Sequence, residues 1–293
     1  MDDRDRGMPT SVPAAEPSNS PWGAPTEHGG RLMALLRAGG IAAEATLPFF
    51  GSHQLLVESK EDQSPVTIAD RTAEAQFRHW ISTHFPGDAI LGEEHGEREG
   101  SSAYRWVVDP IDGTKSFIAG VPLYSTLVAL EHGGEPIAGG IWIPALGEIV
   151  VAATGLGCWH QRHGARGWEP ARVAPPRPLS EAILVTTAID SFAAVGAAST
   201  FGQLQNEVRF TRTWGDGYGY LLVATGRADL MVDPIVNPWD VAPLLPVIRE
   251  AGGIFTDWEG KATTRSTHAV ASSGPLHAEV LRLLRPSGSI AGP

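Results

Sequence analysis

Two aspartates three residues apart, in Asp109-Pro-Ile-Asp112-Gly-Thr114, carry the strongest chemical signal in the chain. They follow apolar residues that read as a strand and precede what reads as a helix start. An aspartate at a strand end can point into a cleft at the sheet edge, and Pro110 limits the backbone so that Asp112 can turn back towards the same point. Two carboxylates then face one cation. Gly113 permits close approach of the backbone, and the N–H groups of Gly113, Thr114 and Lys115 would be unpaired at a helix N-terminus, where they could receive a phosphate.

Asp-Gly-Thr alone also fits an ordinary turn followed by a cap. Three other element ends carry acids. Glu93 and Glu94 close a short strand, a place where carboxylates are usually just solvated. Asp240 lies in Asn237-Pro-Trp-Asp240, where Asn237 reads as an N-cap, Pro238 as the first helical residue and Asp240 as a favourable acid in the first turn. Asp70 follows Thr67 at the spacing of a capping box. Each acid therefore has a structural reading of its own. Together they make a hard-oxygen set suited to Mg²⁺ or Mn²⁺ and unsuited to zinc.

The elements that must position these residues follow from the apolar pattern. Leu32, Leu35, Leu36, Ile41 and Leu47 predict a helix interrupted or kinked near Gly39-Gly40. Residues 64–81 predict a second helix, capped by Thr67, with an apolar stripe at Ala73, Phe77, Trp80 and Ile81. Strands are expected over 89–91, 105–108, 123–131, 136–143 and 148–153, the last three in an antiparallel run, so this half is α+β. Strands at 182–187 and 230–233 alternate with helices at 217–225 and 238–251, as in an α/β layer. Pro243 and Pro246 should each interrupt a helical hydrogen bond after Asp240. The Pro/Arg-rich stretch 170–178 suggests a division into 29–175, carrying most of the acids, and 176–286, completing the set. A disordered tail is expected over 1–28 and a loose end over 287–293.

Composition narrows the function classes. The 293 residues are 42% hydrophobic and 19% charged, and 33 acidic against 22 basic residues give a formal charge of −11. That balance disfavours nonspecific nucleic-acid or anionic-membrane binding. The lone cysteine, Cys158, excludes an intrachain disulfide and suits a reducing compartment, with the cytoplasm as default. The start lacks the apolar region of a secretory signal, and no apolar run reaches the ~18 residues that span a bilayer. Cys158-Trp-His160-Gln-Arg-His163 could be imagined as a zinc cluster, but a glycine-flanked surface hairpin explains it better. There is no P-loop, no Gly-x-Gly-x-x-Gly and no Gly-x-Ser-x-Gly elbow.

With Trp106-Val-Val-Asp-Pro-Ile-Asp-Gly-Thr-Lys-Ser-Phe117, Asn237-Pro-Trp-Asp-Val-Ala-Pro-Leu-Leu-Pro-Val-Ile-Arg-Glu-Ala-Gly-Gly253, Gly92-Glu-Glu94 and Val66-Thr-Ile-Ala-Asp70, the chain resembles the inositol monophosphatase superfamily of Mg²⁺-dependent phosphatases over residues 30 to 285. The resemblance implies a layered αβαβα sandwich of the inositol monophosphatase/fructose-1,6-bisphosphatase type. It implies two or three Mg²⁺ ions per site, with Mn²⁺ as a substitute. Glu93, Asp109 and the Ile111 carbonyl would hold one metal, and Asp109, Asp112 and Asp240 a second. Asp70 and Thr114 would orient the attacking water, so that Asp70, Thr114 and Glu93 count as catalytic, and Gly113, Thr114 and Lys115 would face the phosphate. The implied reaction is in-line attack of activated water on a small phosphorylated metabolite, without a phosphoenzyme. A homodimer is also implied.

Within that superfamily, Lys115-Ser-Phe-Ile-Ala-Gly-Val-Pro122 and Arg212-Thr-Trp-Gly-Asp-Gly-Tyr-Gly-Tyr220 look like the versions found in histidinol-phosphate phosphatases. Asp216 could then pair with the substrate's ammonium group, although it also fits a Gly-rich turn. Asn237 could bind the imidazole or amine, although an N-cap explains it equally well. Hydrolysis of inositol 1-phosphate or another sugar phosphate is the alternative on the same centre. A non-catalytic interaction protein is the alternative of another class, and the complete acidic set argues against it.

Overall fold

Leucines and alanines at helical spacing form α1 (Arg31–Thr46), which buries Leu32, Leu35, Leu36, Ala38, Ala42 and Ala43. The computed structural model describes residues 20–23, 27–52, 55–59, 65–165 and 167–284. The expected loose end over 287–293 lies outside the described residues, as do positions 1–19 and 24–26 of the expected tail. The rest of that tail departs from expectation, because Trp22 is half-buried against the core beneath α1. Nor is α1 broken at Gly39-Gly40. A Cβ on Gly39 would lie 2.3 Å from the Trp142 ring, so glycine is needed there for close packing within an unbroken helix. The segment Arg31–Phe49 is long and apolar enough to cross a membrane by length and composition, but 56% of it is buried inside the protein.

The hairpin of β1 (Val57–Ser59) and β2 (Pro65–Thr67) leads into α2 (Ile68–His84). Thr67 caps this helix as its spacing predicted: its Oγ1 accepts the Ala69 N–H at 3.1 Å and its own amide donates to Asp70 at 2.8 Å. The helix buries Ala73, Phe77 and Ile81, while Trp80 stacks on His84 near the surface.

Eight strands form the larger sheet: β3 (Ala89–Gly92), β4 (Gly96–Arg98), β5 (Tyr104–Asp112), β6 (Ser125–His132), β7 (Glu135–Ile143), β8 (Glu148–Ala153), β9 (Gly157–Gln161) and β10 (Glu169–Pro170). Their spatial order is β10-β9-β8-β7-β6-β5-β3-β4, antiparallel throughout except where β3 runs parallel to β5. A period of two sorts their side chains. Trp106, Val108, Val128, Leu130 and Trp142 pack with α1 and α2. Val107, Leu127, Ala129, Ile141 and Val150 face the other way. Both faces are covered, and β6 is buried from Ser125 to Glu131.

The second sheet holds β11 (Ile183–Val185), β12 (Phe210–Arg212), β13 (Leu230–Asp233), β14 (Gly253–Thr256) and β15 (Ala269–Ser273), in the order β12-β11-β13-β15-β14. The remaining helices are α3 (Thr114–Ile118), which joins β5 to β6, and α4 (Ile189–Ala194), α5 (Ala198–Glu207), α6 (Asp216–Ala224), α7 (Pro238–Glu250) and α8 (Leu276–Leu284). Helices α6 and α7 lie between the two sheets, and α5 and α8 pack together on the far side of the smaller one. With α1 and α2 on the opposite flank, the layers read αβαβα. Pro243 and Pro246 each remove a helical hydrogen bond, as expected, but the helix runs through both without a break. Both are buried between the sheets, and Asp240 lies upstream of them in the first turn.

The stretch around Cys158 is a hairpin of β8 and β9 whose end, Arg162 and His163, is exposed as expected, while Cys158, His160 and Gln161 are buried. Cys158 is buried, and burial pushes its thiol up to about 12. His160 Nε2 lies 2.6 Å from Glu148 Oε1, which also accepts from Arg227 at 2.6 Å.

One polar cluster ties α1 to the larger sheet. Asp88 is fully buried and accepts from Arg31 Nε and Nη2, both at 2.8 Å, from Ser102 Oγ at 2.7 Å and from Trp106 Nε1 at 2.9 Å. Burial works against its charge, but these donors outweigh it and hold the carboxyl below its ordinary range. Asp88→Ala would leave the guanidinium and the buried indole without their acceptor, so a loss of about 3–5 kcal/mol in urea unfolding is expected. A loss under about 1 kcal/mol would show that the cluster is not structural.

Candidate active site

Residues three apart in a regular strand point to opposite faces, so Asp109 and Asp112 could not share a site within an ideal β5. The ladder with β6 is regular up to Asp109 opposite Leu127, then shifts, and resumes at Asp112 opposite Ser125. One extra residue in β5 is a bulge, and it returns Asp112 to the side of Asp109. The freed backbone groups find partners: Pro110 O accepts from Thr126 Oγ1 at 2.8 Å, and Ile111 N–H donates to Asp109 Oδ1 at 3.0 Å. Gly113 follows with φ 84°, a left-handed cap that turns the chain directly into α3.

Three carboxylates meet at this point. Oxygens of Asp109, Asp112 and Asp240 lie within 4.8 Å of one another. Asp240 arrives from the start of α7 and Asp70 from the start of α2, and each uses Oδ2 to accept the amide of its own cap residue, Asn237 at 2.7 Å and Thr67 at 2.8 Å. Asp112 Oδ2 accepts from Ser125 Oγ at 2.9 Å and from the Gly217 amide. One oxygen of each of these four aspartates, Asp109 included, is thus fixed by the protein. The other oxygen of Asp70, Oδ1, is buried with no hydrogen-bond partner among the described residues. Glu93 stands beside the group, its backbone amide bonded to Val108 O at 3.3 Å.

The electrostatics describe anions crowded out of water. Burial, then the charges of Glu93, Asp112 and Asp240, push Asp109 well above its ordinary range. Burial, then Asp112, does the same to Asp240. Burial raises Asp112 to about 7 against the pull of Ser125 and Gly217, and raises Asp70 against the pull of Thr67. Such a set costs stability unless a cation neutralises it, and all its donors are oxygen, which fits a hard divalent ion.

The remaining residues singled out in the sequence lie around this centre. The Ile111 carbonyl accepts from Thr114 Oγ1 at 3.1 Å. Lys115 is exposed on α3, and Asn237 is exposed at the start of α7. Asp216 begins α6 with φ 52°, uncommon for a residue other than glycine. Its amide donates to Thr187 Oγ1 at 2.9 Å, and its carboxylate lies against Gly113, where a Cβ would be 2.7 Å from Oδ2. Burial, then Asp112 and Asp233, push the Asp216 carboxyl well up, and Lys115 opposes them. Asp233, at the end of β13, was not anticipated. It accepts from Tyr220 OH and the Thr187 amide, each at 3.0 Å, and burial lifts it to about 6. A signal existed: Val232-Asp-Pro-Ile235 repeats Val108-Asp-Pro-Ile111.

A sequence profile of the inositol monophosphatase family matches residues 32–289. The chain is 41% identical over 220 residues to a histidinol-phosphatase of Chlorobaculum parvum, spanning 75% of this chain and 83% of that protein. It is 40% identical over 255 residues to a histidinol-phosphatase of Mycobacterium tuberculosis, spanning 86% and 97%. Its fold matches an inositol monophosphatase from Zymomonas mobilis with a TM-score of 0.77 at 31% identity, over 89% of this chain and 99% of that one. The chain belongs to the inositol monophosphatase family, whose members are metal-dependent and act on small phosphorylated substrates. Its fold and acidic centre are those of a phosphoric monoester hydrolase, and within the family it resembles the histidinol-phosphatases.

Proposed function

We propose that this enzyme uses Mg²⁺ to hydrolyse L-histidinol phosphate to L-histidinol and phosphate. The observation that carries the choice of substrate is Asp216. A carboxylate held in a left-handed conformation among other acids suits a leaving alcohol that brings its own positive charge, as histidinol does through its ammonium group.

In this reading Glu93, Asp109 and the Ile111 carbonyl hold one Mg²⁺, Asp109, Asp112 and Asp240 hold a second, and Mn²⁺ can replace either. Bound Mg²⁺ supplies Lewis acidity, which makes water a nucleophile near neutral pH and offsets charge on the phosphoryl and leaving oxygens. The protein's own groups do the positioning. Asp70 Oδ1, which has no donor among the described residues, accepts a hydrogen bond from the attacking water, and Thr114 Oγ1, whose own proton goes to Ile111 O, accepts a second. The amides of Gly113 and Thr114 receive phosphoryl oxygens, with Lys115 adding positive charge nearby. Asn237 at the rim contacts the imidazole. The cytoplasm and a homodimer complete the proposal.

Phosphate release from a substrate panel tests it. With purified protein and Mg²⁺, kcat/KM for histidinol phosphate should exceed that for inositol 1-phosphate by about 100-fold, the scale of discrimination that a buried charged pair can supply. Equal or faster turnover of inositol 1-phosphate would replace this reading with the second one, inositol monophosphate hydrolysis, which the likeness to the Zymomonas mobilis structure favours.

A further inference from the structure

Glu74 lies one helical turn beyond Asp70 on α2 and Arg78 one turn further, so Asp70, Glu74 and Arg78 share a helix face. The Glu74 side chain is fully buried. Its Oε2 accepts the Glu94 N–H at 2.7 Å, and its Oε1 accepts the His95 N–H at 3.1 Å and lies 3.3 Å from His95 Nδ1. Arg78 Nε donates to Oε1 at 2.6 Å, and Arg78 Nη2 continues to the carbonyl of Gly96. A single carboxylate thus grips two successive amides of the turn joining β3 to β4, and its arginine grips the far end.

That turn carries Glu93. On its other side the Glu93 amide is bonded to Val108 O, the carbonyl immediately before Asp109. The backbone of Glu93 is therefore clamped between β5 and α2. Gly92 completes the arrangement, because a Cβ there would lie 2.1 Å from Glu74 Oε1, a separation that real atoms do not adopt.

We propose that Glu74 is a positioning residue for the metal centre: it fixes the turn so that Glu93 is presented to the cation at a set distance from Asp109. This rests on the reading of Glu93 as a metal ligand. Outer-shell partners that orient a ligand characteristically contribute 10–100-fold to metal affinity or activity. A carboxylate is suited to the role because it can accept from two amides and an arginine at once, whereas an amide side chain offers only one oxygen.

The test is Mn²⁺ binding to metal-stripped protein, followed by electron paramagnetic resonance, together with the Mg²⁺ dependence of phosphate release. Glu74→Ala should weaken Mn²⁺ binding and raise the half-saturating Mg²⁺ concentration by about tenfold or more, with most of kcat recovered at saturating Mg²⁺. Glu74→Gln should fall between Ala and wild type. Gly92→Ala, which keeps Glu74 but drives its carboxylate off the turn, should shift Mg²⁺ dependence in the same direction and guards against poor folding of the Glu74 variants. Glu93→Gln serves as the reference and should weaken Mn²⁺ binding outright. A lower melting temperature in Glu74→Ala and Gly92→Ala with Mn²⁺ affinity within twofold of wild type would overturn the proposal while Glu93→Gln still fails to bind. If Glu93→Gln also binds normally, the ligand reading itself falls, and the positioning role falls with it.

Discussion

Asp109→Asn is expected to lower kcat/KM by ~1000-fold or more, about 4 kcal/mol of transition-state stabilisation, and yet to raise the melting temperature of the metal-free protein. Both effects have one origin. Asp109 is the carboxylate shared by the two proposed metal positions, and it is buried among Glu93, Asp112 and Asp240. A carboxyl whose folded-state pKa is raised contributes stability that is complete below its unfolded value, near 3.8, and lost as pH rises through the folded value. The same sign applies to Asp240, Asp216 and Asp112, the last reaching about 7. His277 has the opposite sign. It is buried between the hydroxyls of Thr256 and Ser272, and burial pulls it from 6.5 to about 4, so its contribution is complete above 6.5 and lost below. Between pH 6.5 and 8 the carboxylates therefore act without it. Across that window the metal-free wild-type protein should melt at progressively lower temperature, Asp109→Asn should decline less steeply, and added Mg²⁺ should flatten the wild-type curve. Thermal melts with and without chelator make the comparison. Full activity in Asp109→Asn would end the metal-centred account.

The second large effect concerns selectivity. Asp216→Asn keeps the side chain's size and, because asparagine tolerates a left-handed backbone, does not add strain at φ 52°. It removes charge alone. Leaving a bound ammonium without its partner costs about 2–5 kcal/mol, so kcat/KM for histidinol phosphate should fall by about 30-fold to several thousandfold. Inositol 1-phosphate, which has no positive group, should change by less than about threefold. Steady-state kinetics on both substrates decide the matter: an equal loss on both would mean that Asp216 serves the centre in general and does not recognise the leaving group.

Much of this architecture could be read from the residues because strand alternation and helix spacing are strong local signals. Strands 136–143 and 148–153 fall within a residue of their expected limits, and helix 238–251 ends within one. The acids were legible for a different reason. Asp70 and Asp240 each follow a capping residue at fixed spacing, and the structural and chemical readings prove compatible, since one oxygen serves the helix and leaves the other. What could not be read was whatever depends on a partner distant in sequence. Nothing local announces that β5 carries an extra residue, because its freed carbonyl is satisfied by Thr126 on the next strand. Gly39 looked like a break because the Trp142 ring that requires it is a hundred residues away. The prolines of α7 looked disruptive because propensity ignores the two sheets that hold that helix in place. Trp22 was lost in a polar, proline-rich stretch, and its burial depends on the core beneath α1.

The three converging carboxylates come from β5 and from the start of α7, which lie far apart along the chain. During synthesis, Asp109 and Asp112 leave the ribosome well before Asp240, so a nascent chain can close the larger sheet while its acidic centre still lacks one wall. The repulsion already present among Glu93, Asp109 and Asp112 then grows when α7 docks between the sheets and brings Asp240 to them. A divalent ion bound to these carboxylates would favour that last docking step, so the folded yield is expected to rise with the metal supplied during synthesis.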